Sequence, residues 1–466
     1  MDYISTRGDL RNSCNFERVL LDGLAPDGGL YVPLKFPKFS NEEIWSFKHL
    51  EYYRLVYEIT KDFVSPSIPQ DDYLDICKKT YKNFNNKNIL SVSNLKKGEY
   101  ILNLFHGPTA AFKDFALQLL GNIYKYILNK KEEKIVILGA TSGDTGSAAI
   151  HGCSKSDNIK IFILFPNKMV SDVQRRQMTT FNSKNVFSIA VNGDFDDCQK
   201  IVKEIFLSNY KKKKLNLSGV NSINWVRIMG QIVYYFWSYI KLCEPKEKII
   251  FSVPTGNFGN IYAGFVAKQM GLPVKKLIIA SNSNDVLTRF MNTGQMFLKK
   301  TVKTLSPSMD IQISSNFERL LFFYFNNSSE RINSLYSSLK KNNSFHISKE
   351  VLNKISETFQ AGTLDDKETL STIEDIYQKH RVLIDPHTAV GLNIGRKMSV
   401  KEQKIIYLAT AHYAKFLDSI RNKISCLSKV KLPKSFRNLF LKNEKFDVLS
   451  NDINIIENFV TENSSN

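Results

Sequence analysis

KIVILGATSGDTGSAAIHG, Lys134 to Gly152, is the stretch that decides the fold. A short continuous apolar run gives way to a loop rich in Gly and Thr, and a helical pattern then begins at SAAIHG. Unbroken apolar character over such a length suits a strand buried on both faces. Working outward, KIIFSVPTGNFGN (Lys248–Asn260) opens the helical IYAGFVAKQMG in the same way. KKLIIASNSND (Lys275–Asp285) and KIIYLATAHYAKF (Lys404–Phe416) repeat the passage from strand to polar loop. Strands alternating with helices predict βαβ units and parallel sheets, an α/β fold. Ligands in such sheets sit beyond the carboxyl ends of the strands, which is where these polar loops fall.

Four loops carry groups suited to chemistry. In LFHGPTAAFKDF (Leu104–Phe115), Gly107-Pro108 predicts a turn and the residues after Asp114 predict a largely buried helix. Lys113 then stands near a helix N-terminus between Phe112 and Phe115. The positive helix end and aromatic neighbours should lower its pKa, as an imine-forming lysine requires. The motif alone equally fits a surface lysine whose stem lies along the protein. In ATSGDTGSA (Ala140–Ala148), Ser142, Thr145 and the amides of Gly143 and Gly146 lie at a helix start. They form either an anion site or simply a helix capped by Ser142 or Asp144. PTGNFGN (Pro254–Asn260) offers a second such cradle, with Gly256 and Gly259 permitting close backbone approach. Two cradles in one chain suggest two anionic groups held together. In LATAHYAKF, Thr410 follows a strand and His412 comes two residues later; the Thr410 hydroxyl suits a cofactor ring nitrogen, or the segment is an ordinary turn.

Composition narrows the classes. Forty-three per cent hydrophobic and 23% charged residues suit a globular protein, and 466 residues predict two or three domains. A net charge of +19 invites nucleic acid, but the basic residues are scattered. The short run Lys211–Lys214 reads as a solvated segment, and no nucleic-acid partner is expected. No apolar leader and no run of ~20 apolar residues occurs, so no membrane association is expected and a cytoplasmic location is. The six cysteines show no metal or disulfide spacing, and no metal site is expected. The acidic run Asp194–Asp197 reads as a solvated loop before a helix, not an EF-hand.

Together, HGPTAAFKD, ATSGDTG, PTGNFGN and TAHYAKF resemble the motifs of the threonine synthases, which belong with tryptophan synthase β and threonine dehydratase to the fold type II pyridoxal-phosphate enzymes. ISTRG at Ile4, LAPDGGLYVP at Leu24, NSINWVRIMGQIVYY at Asn221 and GLPVKKLIIASNSND at Gly271 resemble the family too, so the likeness spans roughly residues 3 to 420. It implies twisted parallel sheets flanked by helices in two main domains plus a smaller N-terminal one. It also implies a carbon–oxygen lyase acting on phosphate, which converts O-phospho-L-homoserine and water to L-threonine and phosphate with pyridoxal 5'-phosphate as cofactor. Lys113 would carry the cofactor as a Schiff base and move protons. Gly256, Asn257, Phe258, Gly259 and Asn260 would hold its phosphate, and Thr410 its pyridine nitrogen. Thr109, Ser142, Gly143, Asp144 and Thr145 would face the substrate.

Two departures stand out. Tyr413 replaces a Pro in TAHPAKF, and Asp172 takes a place where relatives often have Pro. Lys168, Arg175 and Arg176, after the strand IKIFILF, are candidates for steering anions toward the cleft. The expected division is 1–95 N-terminal domain, 96–240 small α/β domain, 241–430 large phosphate-binding domain and 431–466 a partly irregular extension. A monomer or homodimer is expected.

Overall fold

The computed structural model describes every residue except 83, 85–88, 213–214, 400–402 and 466. The side chains of the Lys211–Lys214 run fall outside that set. The chain opens with an antiparallel pair, β1 (Tyr3–Ser5) and β2 (Tyr31–Pro33), and continues into helices Asn41–Ser46, Tyr52–Val64 and Gln70–Tyr81. The apolar residues of Glu42–Thr60 fall at helical spacing, but the chain breaks at Leu50, where it turns extended before Tyr52.

β3 (Ser91–Lys96) and β4 (Glu99–Asn103) pair antiparallel. The chain then lays down β5 (Ile135–Ala140), β6 (Ile159–Pro166), β7 (Val186–Asn192) and β8 (Leu217–Ser218), with helices between them. β9 (Ile249–Pro254) and β10 (Val274–Ser281) follow, then a small antiparallel pair, β11 (Gln295–Phe297) with β12 (Ser344–His346). β13 (Phe359–Thr363), β14 (Ile405–Ala409) and β15 (Asp447–Ser450) complete the set.

These strands sort into two large sheets, ordered β13-β10-β9-β14-β4-β3 and β15-β7-β6-β5-β8. All their pairings are parallel except β3 with β4. Every residue of β5, β9 and β14 is buried, which is why their sequences show no polar alternation.

The sheets do not follow the expected division of the chain. β3 and β4 straddle residue 96 and join the six-stranded sheet through β14. The segment after 430 is not merely an extension. β15 lies along β7, and Ile456 and Val460 of the helix Ile453–Ser465 enter the core beneath the five-stranded sheet. An edge strand has unpaired backbone groups, and the returning chain satisfies those of β7. Among the described residues, no helix is long and apolar enough to cross a membrane.

One helix contact sets the geometry of everything that follows. Helix Lys113–Lys131, after β4, packs on helix Asp144–Cys153, after β5. A Cβ at Gly121 would collide with the Gly152 carbonyl, and one at Gly152 with the Leu117 carbonyl. The two backbones therefore touch, as only glycine permits. Their N-termini, bearing Lys113 and Asp144, are brought into one cleft at the carboxyl ends of both sheets.

Candidate active site

The cleft has a volume of about 370 Å³ and is walled by the loops after β4, β5, β9 and β14. Lys113, Ser142, Asp144, Thr145, Gly256, Asn257, Phe258, Gly259, Asn260 and Thr410 all line it. Gly143 and Thr109 are not among the lining residues.

Lys113 is the first residue of its helix, and its Nζ lies 3.7 Å from Asp144 Oδ2 and 5.1 Å from the centre of the Phe112 ring. Burial pushes its pKa down, Asp144 opposes, and Arg227 and Lys415 assist, leaving it at about 8. Burial alone would raise the Asp144 carboxyl, yet Lys415 and Lys113 outweigh it and hold the group well below the usual carboxylate range. Asp144 Oδ1 accepts from Lys415 Nζ at 2.7 Å and from Gln174 Nε2 at 2.8 Å. The depression expected for Lys113 from a helix end and aromatic rings is thus present, but burial and two further cations supply it.

Thr109 requires a correction. Its amide and hydroxyl both donate to the buried Asp114, at 2.9 and 2.8 Å. Its carbonyl accepts from Lys415 Nζ at 2.8 Å and Gln177 Nε2 at 2.9 Å. Every polar group it has is engaged, so it braces the lysine loop from behind instead of facing a ligand. The loop is also stitched to the one after β14, since the Phe112 amide donates to Thr410 O and the His412 amide to Ala110 O. His412 turns away from the cleft, and its Nδ1 accepts from the Ala414 amide to start the short turn Tyr413–Lys415. That turn forms with tyrosine at the departing position and carries Lys415 inward.

The loop after β5 also differs in detail from expectation. The amides of Gly143 and Gly146 both donate to Thr141 Oγ1 at 2.9 Å and are not free for an anion. Neither Ser142 nor Asp144 caps the helix; Gly143 holds the cap position without a side-chain bond. The hydroxyls of Ser142 and Thr145 and the first free amides of the helix remain to meet a ligand.

The loop after β9 is built the other way round, from backbone. Phe258 takes a left-handed conformation, φ 62°, immediately before helix Gly259–Gln269. The carbonyls of Gly256 and Asn257 are bound from outside, the first by Ser314 Oγ at 2.6 Å and the second by the Asn316 amide and Nδ2. That arrangement commits the carbonyls to one side and leaves the unpaired amides of the first helical turn for the cleft. A Cβ at Gly256 would strike the Ser308 carbonyl. Asn260 Oδ1 accepts from Tyr234 at 2.6 Å and Tyr235 at 2.9 Å, which turns its amide nitrogen the other way, and that nitrogen is buried without a partner.

Sequence reading missed several residues here. Arg227 lines the cleft, with one guanidinium nitrogen on Val220 O and its Nε buried and unpaired. Ser308 lines it too, and its buried hydroxyl has no partner. His387 reaches the cleft wall with Nδ1 at 2.7 Å from Asp385 Oδ2 while its Nε2 accepts from the Ser308 amide at 3.2 Å. Lys415 is the fourth. Arg227 and Lys415 stand inside quoted motifs, but only folding shows where their charges go. None of the candidates for steering, Lys168, Arg175 and Arg176, lines the cleft: Arg175 pairs with Asp172 and Glu444, and Arg176 with Glu444 and the carbonyls of Leu439 and Lys442. Asp172 opens its helix behind the cap Ser171, a place that proline also tolerates. Asp194 and Asp197 bond each other's amides at the start of helix Phe195–Lys212.

The residues present fit pyridoxal phosphate. Three buried donors without protein partners, on Asn260, Ser308 and Arg227, line the same cleft as a lysine of lowered pKa. An anion at the β9 loop would satisfy the first two kinds of donor, and an aldehyde would find the amine across the cleft.

Comparison with known proteins agrees along the whole chain. Residues 2–81 match the family model "Threonine synthase N terminus", 89–410 "Pyridoxal-phosphate dependent enzyme" and 388–460 "Threonine synthase, C-terminal". Threonine synthase from Pseudomonas aeruginosa is 44% identical, covering 100% of this chain and 99% of its own. That of Saccharomyces cerevisiae is 38% identical, covering 99% and 97%. Among solved structures, pyridoxal-phosphate-bound threonine synthase from Brucella melitensis superposes with a TM-score of 0.95 at 43% identity, covering all of both chains. The yeast enzyme superposes at 0.93 with 37% identity, covering 100% of this chain and 99% of that one. A likeness this complete, over a cleft with a buried lysine and an anion cradle, leads to one conclusion: the chain belongs to the threonine synthase family of pyridoxal-phosphate-dependent enzymes.

Proposed function

We propose that this cleft converts O-phospho-L-homoserine and water to L-threonine and phosphate, with Lys113 as its proton-moving amine. The observation that carries the reading is Lys113, its side chain 11% exposed, 3.7 Å from Asp144 and with its pKa lowered to about 8, opposite the β9 cradle. When bound, pyridoxal phosphate supplies the electron sink that no side chain can, making the hydrogens beside the substrate amino group acidic.

The chain's own residues do the rest. The amides of the first turn at Gly259, with the Asn260 amide nitrogen and the Ser308 hydroxyl, would hold the cofactor phosphate by hydrogen bonds instead of a full counter-charge. Thr410, fixed through its carbonyl by the Phe112 amide of the lysine loop, would meet the pyridine nitrogen. The Lys113 amine would be the base at Cα; a pKa near working pH lets it take and return a proton. Ser142 and Thr145, at the start of helix Asp144–Cys153, receive the substrate carboxylate. Arg227 is a buried cation on the same wall, suited to the substrate phosphate and to phosphate as it leaves. The His387–Asp385 pair holds the Ser308 amide and so the loop that closes the far wall. We place the enzyme in the cytoplasm, in keeping with free cysteines among the described residues.

The test is an absorbance spectrum of the protein with pyridoxal phosphate, before and after O-phosphohomoserine, with products assayed. A visible-edge band that is lost in Lys113→Ala, with threonine and phosphate released in equal amounts, is the expected result. A 2-oxo acid in place of threonine would keep the cofactor and move the reaction to a lyase, and no band would defeat the reading.

A further inference from the structure

The lysine side of the cleft contains a second lysine that the reaction as described does not use. Lys415 is 1% exposed, and its Nζ lies 2.7 Å from Asp144 Oδ1 and 2.8 Å from the Thr109 carbonyl. It does not line the cleft. Asp144 therefore serves two ammonium groups, Lys415 at contact distance through Oδ1 and Lys113 at 3.7 Å through Oδ2. A buried cation is costly unless paired, so a lysine this deep is there for its charge.

Consider the site without it. Asp144 would keep only the neutral amide of Gln174 on Oδ1, and its charge would fall wholly to Lys113. Opposite charges this close in a buried site favour the charged form of both. Lys113 would be held as an ammonium, which has no lone pair to offer a carbonyl or a proton. With Lys415 in place, the carboxylate is already neutralised, and the second ammonium repels a proton on the first. The other charged groups around Lys113 act in fixed directions: Arg227, from helix Trp225–Leu242, disfavours the ammonium, and Asp114 beside it is bound by Thr109. Lys415 also ties three segments at one atom, since Thr109 follows β4, Asp144 follows β5 and Lys415 follows β14.

We propose that Lys415 is a positioning residue for the Lys113 amine: by occupying Asp144 Oδ1 it prevents that carboxylate from capturing Lys113 as a closed ion pair, and so leaves the amine free to react. The proposal rests on Lys113 being the reactive amine. It distinguishes Lys415 from a simple structural strut, because a strut and a charge partner respond differently when Asp144 is changed as well.

The experiment measures how fast Lys113 of the full-length protein, stripped of cofactor, captures pyridoxal phosphate across a pH series. The adduct is fixed with borohydride and located by peptide mass. Attack of the amine lone pair on the aldehyde carbon releases water, and hydride from borohydride reduces the C=N bond, so the label records the unprotonated lysine. In Lys415→Met the half-maximal pH should move upward, with capture at neutral pH falling about tenfold for each unit of displacement. Asp144→Asn should move it downward. The double variant Lys415→Met/Asp144→Asn should return toward wild type, because both the charge and its counter-charge are gone, and Lys415→Arg should resemble wild type. An unmoved midpoint in folded Lys415→Met, or a double variant worse than both single ones, would overturn the proposal. If Lys415→Met does not fold, the comparison of Asp144→Asn with the double variant and with Lys415→Arg decides in its place: equal midpoints in Asp144→Asn and wild type defeat the idea. Failure of the wild type to label at Lys113 at all would defeat the reading of the site instead.

Discussion

The two walls of the cleft bind by opposite means. The lysine wall, built on the loops after β4 and β5, is made of side-chain charge: Lys113 and Asp144, joined by Arg227 from helix Trp225–Leu242 and backed by Lys415 behind Asp144. The cradle wall, after β9, is made of backbone and neutral side chains: the turn at Phe258, the close approach at Gly256, and the amide of Asn260 aimed by two tyrosines. A wall of charge can change protonation state and so do chemistry, and it is sensitive to pH. A wall of backbone amides cannot titrate, so it can grip a phosphate unchanged while protons move across from it. The division lets one side of the cleft exchange protons, through a lysine whose pKa is lowered to about 8, while the other side keeps its donors unchanged.

The largest expected effect breaks the lysine wall alone. Lys113→Ala should lower turnover by on the order of a thousandfold or more, as loss of a nucleophile and base does. Equilibrium dialysis should still find pyridoxal phosphate bound, because the cradle is intact; loss of all binding would show that the walls are not independent. The converse change is Gly256→Ala. Its Cβ would strike the Ser308 carbonyl, and such overpacking costs about 1–3 kcal/mol. Cofactor affinity should fall roughly 5- to 150-fold by titration, with the pH profile of the remaining activity unchanged. Asn260→Ala sharpens the same point without a clash. Losing one hydrogen bond to a charged group costs about 1.5–3 kcal/mol, so affinity should fall roughly 10- to 150-fold, and a shift in the pH profile would contradict a neutral cradle.

pH separates the walls in the wild type. Lys113 has a pKa of about 8, so the fraction of free amine falls about tenfold per unit below that value, and cofactor capture should fall with it. The same shift acts on stability with a definite sign. A lysine lowered from 10.5 to about 8 by folding binds its proton more weakly in the folded chain, so the apo-protein gains stability as pH rises through that window. Comparing thermal melts of wild type and Lys113→Met across that window isolates the contribution. The smallest effect is expected from Arg175→Gln. Its partners are Asp172 and Glu444, away from the cleft. Substrate capture should therefore be unchanged at any salt concentration, with stability altered by less than about 1 kcal/mol. A marked fall in capture would restore it as a steering residue.

Much of the cleft was legible in the sequence because its signals are local. The strands before Thr141, Thr255 and Thr410 announce themselves by continuous apolar runs, and the loops by glycine within a few residues. Lys113 was legible as a lysine between aromatic residues at the head of a buried helix. β13 was not, since FQAGT is short, and Phe359 is its one buried position. The role of the chain after 430 was not legible either, because β15 has exposed residues at three of its four positions and is a strand only by virtue of lying on β7. The four residues missed in the site, Arg227, Ser308, His387 and Lys415, follow the same rule. Each reaches the cleft, or its edge, beside residues distant in the chain: Lys415 meets Thr109 and Asp144, His387 holds the Ser308 amide, and Arg227 lines the same cleft as Lys113.

Short-range sequence carried the α/β class, the polar loops that meet at the carboxyl ends of the strands and the glycines of the loop after β9. These follow from preferences that act over a few residues: backbone conformation, apolar runs and helix ends. Only the tertiary structure decided which of the expected groups are free to bind. It engaged the Gly143 and Gly146 amides with Thr141, turned Thr109 inward to Asp114, left the Asn260 nitrogen unpaired, and set Lys415 against Asp144. A hydrogen bond or a buried charge depends on everything within a few ångströms, and here those neighbours come from residues as far apart in the chain as 144 and 415.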